Sequence, residues 1–222
     1  MDVFVPFAAH RPKTRLSGTF TIEERRAFAD AMLGDVLTAV QSAGGSPTVL
    51  ADRPIDLTTR VGAEVATDVA VRVDDRDLSP AVNAVLADAV SNTTDDAVAV
   101  VMSDLAIATP DSLRRLFVAD GDVVIAPGRG GGTNALVVRD PAFRVDYHGV
   151  SLRDHRRIAA DVGATVTELD SHRLASDVDE RGDLTEVLLH GTGAARRWLV
   201  DAGFEPSSAA EARAGVRRRT DD

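Results

Sequence analysis

Residues 97–104 have the sequence AVAVVMSD, an unbroken apolar run that ends in a serine and an aspartate. Such a run is typical of a strand buried on both faces, as at the centre of a parallel sheet. Helix patterns lie on either side of it. In SPAVNAVLADAVSN (79–92) Ser79 is placed to cap a helix and Pro80 to begin it, and TPDSLRRLFVA (109–119) repeats that signal. The helix–strand–helix unit predicts an α/β fold.

The same alternation extends to both ends of the chain. Further strands are predicted at residues 3–7, 47–52, 69–75, 122–127, 165–169 and just after the glycine-rich stretch at 128–132. Further helices are predicted from residue 22 to the glycines at 44 and 45, and over 151–163, 184–190 and 194–202. Strand–helix alternation predicts an α/β three-layer sandwich with a mostly parallel sheet. We expect one domain over residues 1–204, followed at 205–222 by a polar, disordered tail.

The first long helix carries the strongest local signals. Thr21 and Glu24 have the spacing of a capping box, in which each side chain bonds the backbone N–H of the other residue. An apolar stripe runs along the helix, and Gly44 and Gly45 end it.

The charged residues are unevenly chosen. The chain has 24 arginines and one lysine, 27 aspartates and 8 glutamates, and a net charge of −10. This composition is typical of a protein from a high-salt cytoplasm, because dense carboxylates hold water and salt screens their repulsion. An acidic protein from a GC-rich genome is the alternative. The negative charge argues against unspecific binding to nucleic acid.

Several classes of protein are excluded. The chain has no cysteine, so it has no disulfide, thiol nucleophile or cysteine-based zinc site. No apolar run approaches the roughly 18 residues of a membrane span. The N-terminus, MDVFVPFAAH, lacks the basic region of a signal peptide. We expect a cytoplasmic protein that does not bind membranes.

Polar side chains follow several predicted strands, at the edge of the sheet where α/β proteins bind ligands. Lys13 and Arg15, in HRPKTRL, follow the first strand and form a cationic loop suited to phosphate. Position 13 calls for a compact point charge, since the other 24 positions with a lysine or an arginine all hold arginine. Asp104 follows the 97–102 run and suits a hard cation such as magnesium. The alternatives are a solvated basic loop and an aspartate that caps a turn.

Three later stretches add candidates. The glycines of GRGGGTNAL (128–136) expose N–H groups that can surround an anion, with a flexible hairpin as the alternative. Ser151 is predicted to cap a helix that begins at Leu152, and His155 faces the same way, although a lone histidine is more often structural. In DVDERGDL, two carboxylates could share a cation with Asp104, while Asp183 caps the next helix. Those two carboxylates are Asp177 and Asp179.

The sequence lacks the Gly-x-Ser-x-Gly elbow, the HExxH motif and the Walker A motif. What remains is a cationic loop, a glycine loop, a helix start and an acidic cluster. This combination suits phosphate groups bound with magnesium, and it therefore predicts phosphoryl or nucleotidyl transfer.

Six stretches, in the same order, resemble the guanylyltransferases of coenzyme F-420 biosynthesis that act on 2-phospho-L-lactate. They are PFAAHRPKTRL, EERRAFADAMLGDVL, MSDLA, GRGGGTNAL, YHGVSLRDH and DVDERGDL, between Asp2 and Leu184. The resemblance implies a nucleotidyltransferase fold of the glycosyltransferase-A-like, nucleotide-diphospho-sugar transferase type. It also implies transfer of GMP from GTP to 2-phospho-L-lactate, giving lactyl-2-diphospho-5'-guanosine and pyrophosphate, by a homodimer.

The resemblance also assigns roles to residues. It implies that Lys13 and Arg15 bind the triphosphate and, with Asp104, act in catalysis. It places Asn83 at the nucleotide. Asp104, Asp177 and Asp179 would hold magnesium, and Thr133, Gly149 and Ser151 would hold the acceptor. Two alternatives stay open: a related nucleotidyltransferase that uses phosphoenolpyruvate, 3-phosphoglycerate or a sugar phosphate, and a non-catalytic nucleotide-binding protein of the same fold.

Overall fold

A computed structural model describes residues 1–10, 12–92, 97–207 and 215–219, with residues 89–92 described by their backbone alone. The strands are β1 (Asp2–Phe7), β2 (Ser46–Ala51), β3 (Ala70–Val73), β4 (Val98–Val101), β5 (Val123–Pro127), β6 (Thr133–Val138), β7 (Val166–Glu168), β8 (Phe204–Ser207) and β9 (Gly215–Arg218). The helices are α1 (Ile22–Ser42), α2 (Leu57–Val61), α3 (Ala63–Ala66), α4 (Leu78–Asn92), α5 (Pro110–Val118), α6 (Ser151–Val162), α7 (His172–Ala175), α8 (Leu184–His190) and α9 (Ala194–Asp201). Short 3-10 turns cover Thr14–Gly18 and Arg181–Asp183.

Seven strands form one sheet in the order β3-β2-β1-β4-β6-β5-β7. The pairs β1–β2, β1–β4, β2–β3 and β5–β7 are parallel, whereas β6 runs antiparallel to both β4 and β5. Only residues 128–132 join β5 to β6, and a connection this short cannot make the crossover that a parallel pair needs. The prediction of a mostly parallel sheet is confirmed.

The strand at 98–101 lies in the middle of the sheet, as its apolar run predicts. Its residues alternate between two cores: Ala99 and Val101 pack on the side of α1, α5, α8 and α9, and Val98 and Val100 on the side of α4 and α6. All four are buried. Full burial of a valine side chain contributes about 1.5–3 kcal/mol, so this strand needs apolar residues on both faces.

The capping box of α1 is confirmed. Thr21 Oγ1 accepts a hydrogen bond from Glu24 N at 3.2 Å, and the Glu24 carboxylate accepts one from Thr21 N at 2.8 Å. Phe28, Met32 and Leu33 are among the apolar residues that this helix buries against the sheet.

Both predicted serine caps are wrong. Helix α4 begins at Leu78, and the Ser79 hydroxyl accepts a hydrogen bond from Tyr147 N at 2.8 Å instead of capping the helix. Helix α6 begins at Ser151 itself, after Val150, and the Ser151 hydroxyl accepts from Thr133 N at 3.0 Å. In both cases a residue distant in sequence supplies a backbone N–H that competes with the local cap.

The described part of the polar C-terminal segment forms regular secondary structure. Strands β8 and β9 pair in an antiparallel ribbon, and Phe204 and Val216 are buried in the core. Phe204 packs edge-on against Phe20, which also contacts Trp198. The expectation of disorder over residues 205–222 is thus corrected for 205–207 and 215–219, because two apolar residues anchor the ribbon; residues 208–214 and 220–222 lie outside the described part.

Among the helices of the described residues, none is long and apolar enough to cross a membrane.

Candidate active site

The carboxyl ends of β1, β2, β3 and β4 lie at one edge of the sheet and line a cavity of about 460 Å³. The parallel pairing of these four strands brings together the segments that follow them in sequence. The polar residues that line the cavity are Lys13, Thr14, Arg15, Asp52, Asp74, Arg76, Ser103, Asp104 and Asp179. The edge expected from the sequence therefore holds an open site with charges of both signs.

Lys13 lies at the centre of the charged group. Its Nζ donates to Asp104 Oδ2 at 2.6 Å and to Asp179 Oδ1 at 3.1 Å, and its side chain is only 12% exposed. Burial by itself would lower the pKa of Lys13, but the two carboxylates outweigh burial and raise the pKa above its ordinary value of 10.5. The ammonium therefore stays charged at neutral pH, in the space between two aspartates that are 91 and 166 residues away in sequence.

The backbone at Lys13 is left-handed, with φ 52° and ψ 49°. A residue other than glycine held in this region costs on the order of 1 kcal/mol, and such strain is concentrated at functional sites. Leu16 N donates to Lys13 O at 3.0 Å and closes the turn that follows. The turn thus directs the chain's one lysine towards Asp104 and Asp179.

Arg15 contacts the same cluster from its rim. Its Nη1 donates to Asp179 Oδ2 at 2.9 Å, while its side chain is 68% exposed. Asp179 consequently has one oxygen on each of the two cations. The sequence predicts that these cations bind phosphate and that these aspartates bind metal, whereas the structure joins the two groups as ion pairs.

The carboxylates retain features suited to a cation. Asp104 Oδ1 is buried and has no hydrogen-bond partner among the residues described. Asp177 Oδ1 accepts from Asn134 Nδ2 at 3.0 Å. Burial raises the pKa of Asp177, the Asn134 hydrogen bond opposes that rise, and the negative charges of Asp104 and Asp179 add to it. A bound cation would relieve both the unpaired oxygen and the repulsion.

The three aspartates do not form a ready-made cage in the described residues, since their ligand atoms do not all lie within 4.8 Å of one another. Lys13 stands between Asp104 and Asp179. Magnesium is usually held by one or two carboxylates together with substrate phosphates, so a complete cage is not required. The residues present therefore fit this ion.

The glycine loop uses most of its N–H groups within the protein. The amides of Gly128, Arg129 and Gly131 donate to backbone carbonyls, and that of Thr133 donates to Ser151. A Cβ at Gly128 would lie 2.5 Å from Asn134 Oδ1, so a larger residue there would displace the Asn134 side chain. The loop is consequently an ordered support for the site, and the prediction of a ring of free amides is corrected.

Thr133, Ser151 and His155 are buried, and Thr133 forms hydrogen bonds with each of the other two. Thr133 Oγ1 lies 2.8 Å from His155 Nδ1, and His155 Nε2 accepts a hydrogen bond from Asp146 N at 3.0 Å. Nδ1 therefore carries the ring proton and donates a hydrogen bond to Thr133 Oγ1. Burial lowers the pKa of His155 to about 4, so the ring is neutral and structural.

Two further predicted residues lie apart from the cavity lining. Asn83 donates to Val145 O at 3.0 Å and accepts from Val145 N at 2.8 Å, which occupies both ends of its amide. Gly149 is exposed and has a positive φ of 54°, just before α6. The structure does not bring Asn83 or Gly149 into contact with Lys13 or the aspartates.

Four residues that shape the site are not among those predicted from the sequence. Asp52 Oδ1 accepts from Ala9 N at 3.0 Å and holds the loop that leads to Lys13. Asp74 pairs with Arg76 at the end of β3, which lowers the pKa of Asp74. Asn134 donates to Leu174 O at 2.9 Å and to Asp177. The positions of Asp52 and Asp74 directly after strands could have indicated them, whereas nothing local marks Asn134.

The fold is that of the nucleotidyltransferases. A protein of Desulfovibrio desulfuricans G20, provisionally described as a nucleotide-diphospho-sugar transferase, superposes with a TM-score of 0.71 at 15% identity, over 90% of this chain and 94% of its own. A 4-diphosphocytidyl-2C-methyl-D-erythritol synthase superposes with a TM-score of 0.56 at 14% identity, over 85% and 96%. The predicted fold class is confirmed.

The chain belongs to the family described as "Guanylyl transferase CofC like", whose model matches residues 1–219. A protein of Halomicrobium mukohataei named 2-phospho-L-lactate guanylyltransferase is 58% identical over 92% of this chain and 94% of its own length. One of the same name from Halorubrum lacusprofundi is 52% identical over 98% and 100%. The recognised family is confirmed, and these halophilic relatives agree with the salt-adapted composition.

Proposed function

We propose that this protein transfers GMP from GTP to 2-phospho-L-lactate and releases pyrophosphate. The observation that carries the proposal is the cluster of Lys13, Arg15, Asp104 and Asp179 at the carboxyl ends of the strands. It occurs in a chain that is more than half identical to relatives named 2-phospho-L-lactate guanylyltransferase. The product is lactyl-2-diphospho-5'-guanosine, an intermediate of coenzyme F-420 biosynthesis.

The reaction is an in-line displacement at phosphorus. A phosphate oxygen of 2-phospho-L-lactate forms a bond to the α-phosphorus of GTP, and the bond from that phosphorus to the bridging oxygen of pyrophosphate breaks. The attacking phosphate is already an anion at neutral pH, so no general base is needed. The enzyme's task is to hold two polyanions together and offset their repulsion.

Lys13 and Arg15 supply the positive charge for that task. In the structure both are paired with Asp179, and Lys13 also with Asp104. When the triphosphate enters, the ammonium and guanidinium exchange these carboxylates for phosphate oxygens and stabilise the charge that develops on pyrophosphate. Asp104 and Asp179, no longer paired with these cations, would then be available to hold a metal ion.

Asp104, Asp177 and Asp179 would hold magnesium. When bound, the ion neutralises phosphate charge and polarises the phosphorus–oxygen bonds. Asn134 keeps Asp177 in place through its hydrogen bond to Oδ1. The acceptor is still predicted to bind at Thr133, Gly149 and Ser151, and the nucleotide at Asn83. The side chains of Thr133, Ser151 and Asn83 are already hydrogen-bonded within the protein, which supports a positioning role for them. Direct contact with the acceptor would then fall to the exposed backbone of Gly149.

Pyrophosphate release tests the proposal. The full chain, in molar KCl with magnesium, would be given GTP or each of the other three nucleoside triphosphates. The acceptors would be 2-phospho-L-lactate, phosphoenolpyruvate, 3-phosphoglycerate and a sugar phosphate. We expect the highest kcat/KM with GTP and 2-phospho-L-lactate. A higher value with another acceptor would assign a different substrate, and no release with any pair would favour a nucleotide-binding protein without activity.

A matched pair of variants shows whether the cavity is the site. Lys13→Ala removes the buried ammonium, whereas Arg157→Ala removes an exposed charge on α6. Release should fall in the first variant and stay unchanged in the second. Homodimer formation and cytoplasmic location stay predictions; light scattering on the purified protein would test the first.

A further inference from the structure

A second group of potential metal ligands lies outside the cavity lining. It consists of His172, the first residue of α7, with Glu186 and His190 on α8, and we call it the His–Glu cluster. One ligand atom from each residue can be chosen so that all lie within 4.8 Å of one another. Within residues 1–10, 12–92, 97–207 and 215–219, no other three histidine, aspartate or glutamate residues meet this condition.

The distances suit a shared ion. His172 Nε2 lies 3.2 Å and His190 Nε2 lies 3.6 Å from Glu186 Oε2. Two ligands of a tetrahedral zinc ion, each about 2.1 Å from the metal, lie roughly 3.4 Å apart. Both contacts thus bracket the expected ligand–ligand separation.

The two oxygens of Glu186 have different surroundings. Oε1 lies 3.6 Å from Arg129 Nη1. Oε2, the oxygen nearest both histidines, is buried and has no hydrogen-bond partner in the part of the chain that the structure describes. The contact with His172 is short but lacks hydrogen-bond geometry. A buried carboxylate oxygen without a donor is costly, and a metal ion would satisfy it.

The framework around the cluster is fixed while the histidines stay accessible. Glu186 and His190 are four residues apart and share one face of α8. Arg173 Nη1 donates to His190 O at 2.7 Å and ties α7 to the end of α8. The His172 and His190 side chains are 52% and 44% exposed, so an ion can reach them from solvent.

We propose that His172, Glu186 and His190 bind a divalent transition metal of the zinc class. Two imidazoles favour zinc over magnesium or calcium, which prefer oxygen ligands. Three protein ligands leave a fourth position for water. These three residues do not line the cavity, and the proposed guanylyl transfer reaction does not use them.

The location of the cluster indicates what the metal does. His172 precedes and Glu186 follows the segment that carries Asp177 and Asp179. A metal bound to both ends closes this segment into a loop, as a cross-link would. Asp179 N and Glu180 N, which donate to Asp183 Oδ2 at 3.0 and 2.8 Å, lie inside the loop. The metal thus acts as a cross-link that restricts the motion of the segment carrying Asp177 and Asp179.

The test uses the full chain, stripped with a chelator and kept in excess magnesium so that the cavity carboxylates are supplied with their own ion. Zinc is titrated against a competing chromophoric chelator, and cobalt is added separately as a visible-absorption probe. The variants are His172→Ala/His190→Ala and Glu186→Gln. The control is His148→Ala, which removes an exposed histidine that pairs with Asp146 outside the cluster.

The wild type and the control should bind one zinc ion and give the intense cobalt absorption of a four-coordinate site. At free zinc one hundred times the Kd, Tm should rise by about 5–10 °C. The amides of Asp179 and Glu180 should exchange more slowly with zinc bound. Both cluster variants should lose about 100-fold or more in zinc affinity. Equal affinity in wild type and variants, or six-coordinate cobalt spectra, would overturn the proposal. None of these measurements depends on guanylyl transfer.

Discussion

Lowering the pH should destabilise this protein through His155. The ring is 0% exposed, accepts the Asp146 N–H through Nε2 and lies against Thr133 through Nδ1. A proton on Nε2 would remove the acceptor and place a charge in the core. Burial accordingly lowers the pKa of His155 from 6.5 to about 4.

The sign and the size of the effect follow from that difference. Between pH 6.5 and pH 4 the unfolded chain binds a proton on this ring and the folded chain does not, so protons favour unfolding. The free energy of unfolding contributed by the neutral ring is complete above about pH 7 and falls as the pH drops to 4, by about 3 kcal/mol in total.

Urea unfolding in molar KCl, from about pH 4.5 to pH 7.5, would measure this change in the free energy of unfolding. His155→Gln keeps an oxygen able to accept from Asp146 but cannot titrate. Its free energy of unfolding should be lower than that of the wild type at pH 7.5, and the difference should shrink by about 2–3 kcal/mol at pH 4.5. His148→Gln, at an exposed site, should keep the wild-type slope between pH 4.5 and 6. Parallel curves for wild type and His155→Gln would refute the assignment of a buried neutral imidazole.

Three more outcomes are expected. Lys13→Arg should reduce pyrophosphate release about 100-fold, because the planar guanidinium does not fit the space of an ammonium that lies 2.6 and 3.1 Å from two carboxylates. Arg15→Lys, at a 68% exposed position, should retain more activity than Lys13→Arg. Lower activity in Arg15→Lys than in Lys13→Arg would contradict the role of Lys13. Asp104→Asn should also lose about 100-fold while melting cooperatively, and turnover restored to the wild-type level by added magnesium alone would argue against its oxygens as ligands. Thr21→Ala should lower the free energy of unfolding by about 1 kcal/mol in urea at neutral pH, since Glu24 N loses its acceptor; an unchanged midpoint would mean that the capping box adds nothing to α1.

Local patterns were sufficient for most of the fold. The apolar run at 98–101 predicted a strand covered on both faces, and Thr21 with Glu24 predicted the start of α1, because these signals act between residues close in sequence. The cap predictions for Ser79 and Ser151 failed for the converse reason. Their hydroxyls bond Tyr147 and Thr133, and no local pattern reports a partner that only the folded chain brings near.

The candidate site likewise has features that the sequence determines and features that only the tertiary structure determines. The sequence by itself determined that a lone lysine, an arginine and several aspartates follow strands, and hence that their side chains gather at one edge of the sheet. It could not determine that Lys13 lies between Asp104 and Asp179, or that Asn134 orients Asp177. Those pairings depend on strand order, on the left-handed turn at residue 13 and on loops that converge from opposite ends of the chain. Tertiary structure alone decides them, because hydrogen bonds and ion pairs require atoms within about 3 Å, a distance that no spacing along the sequence specifies.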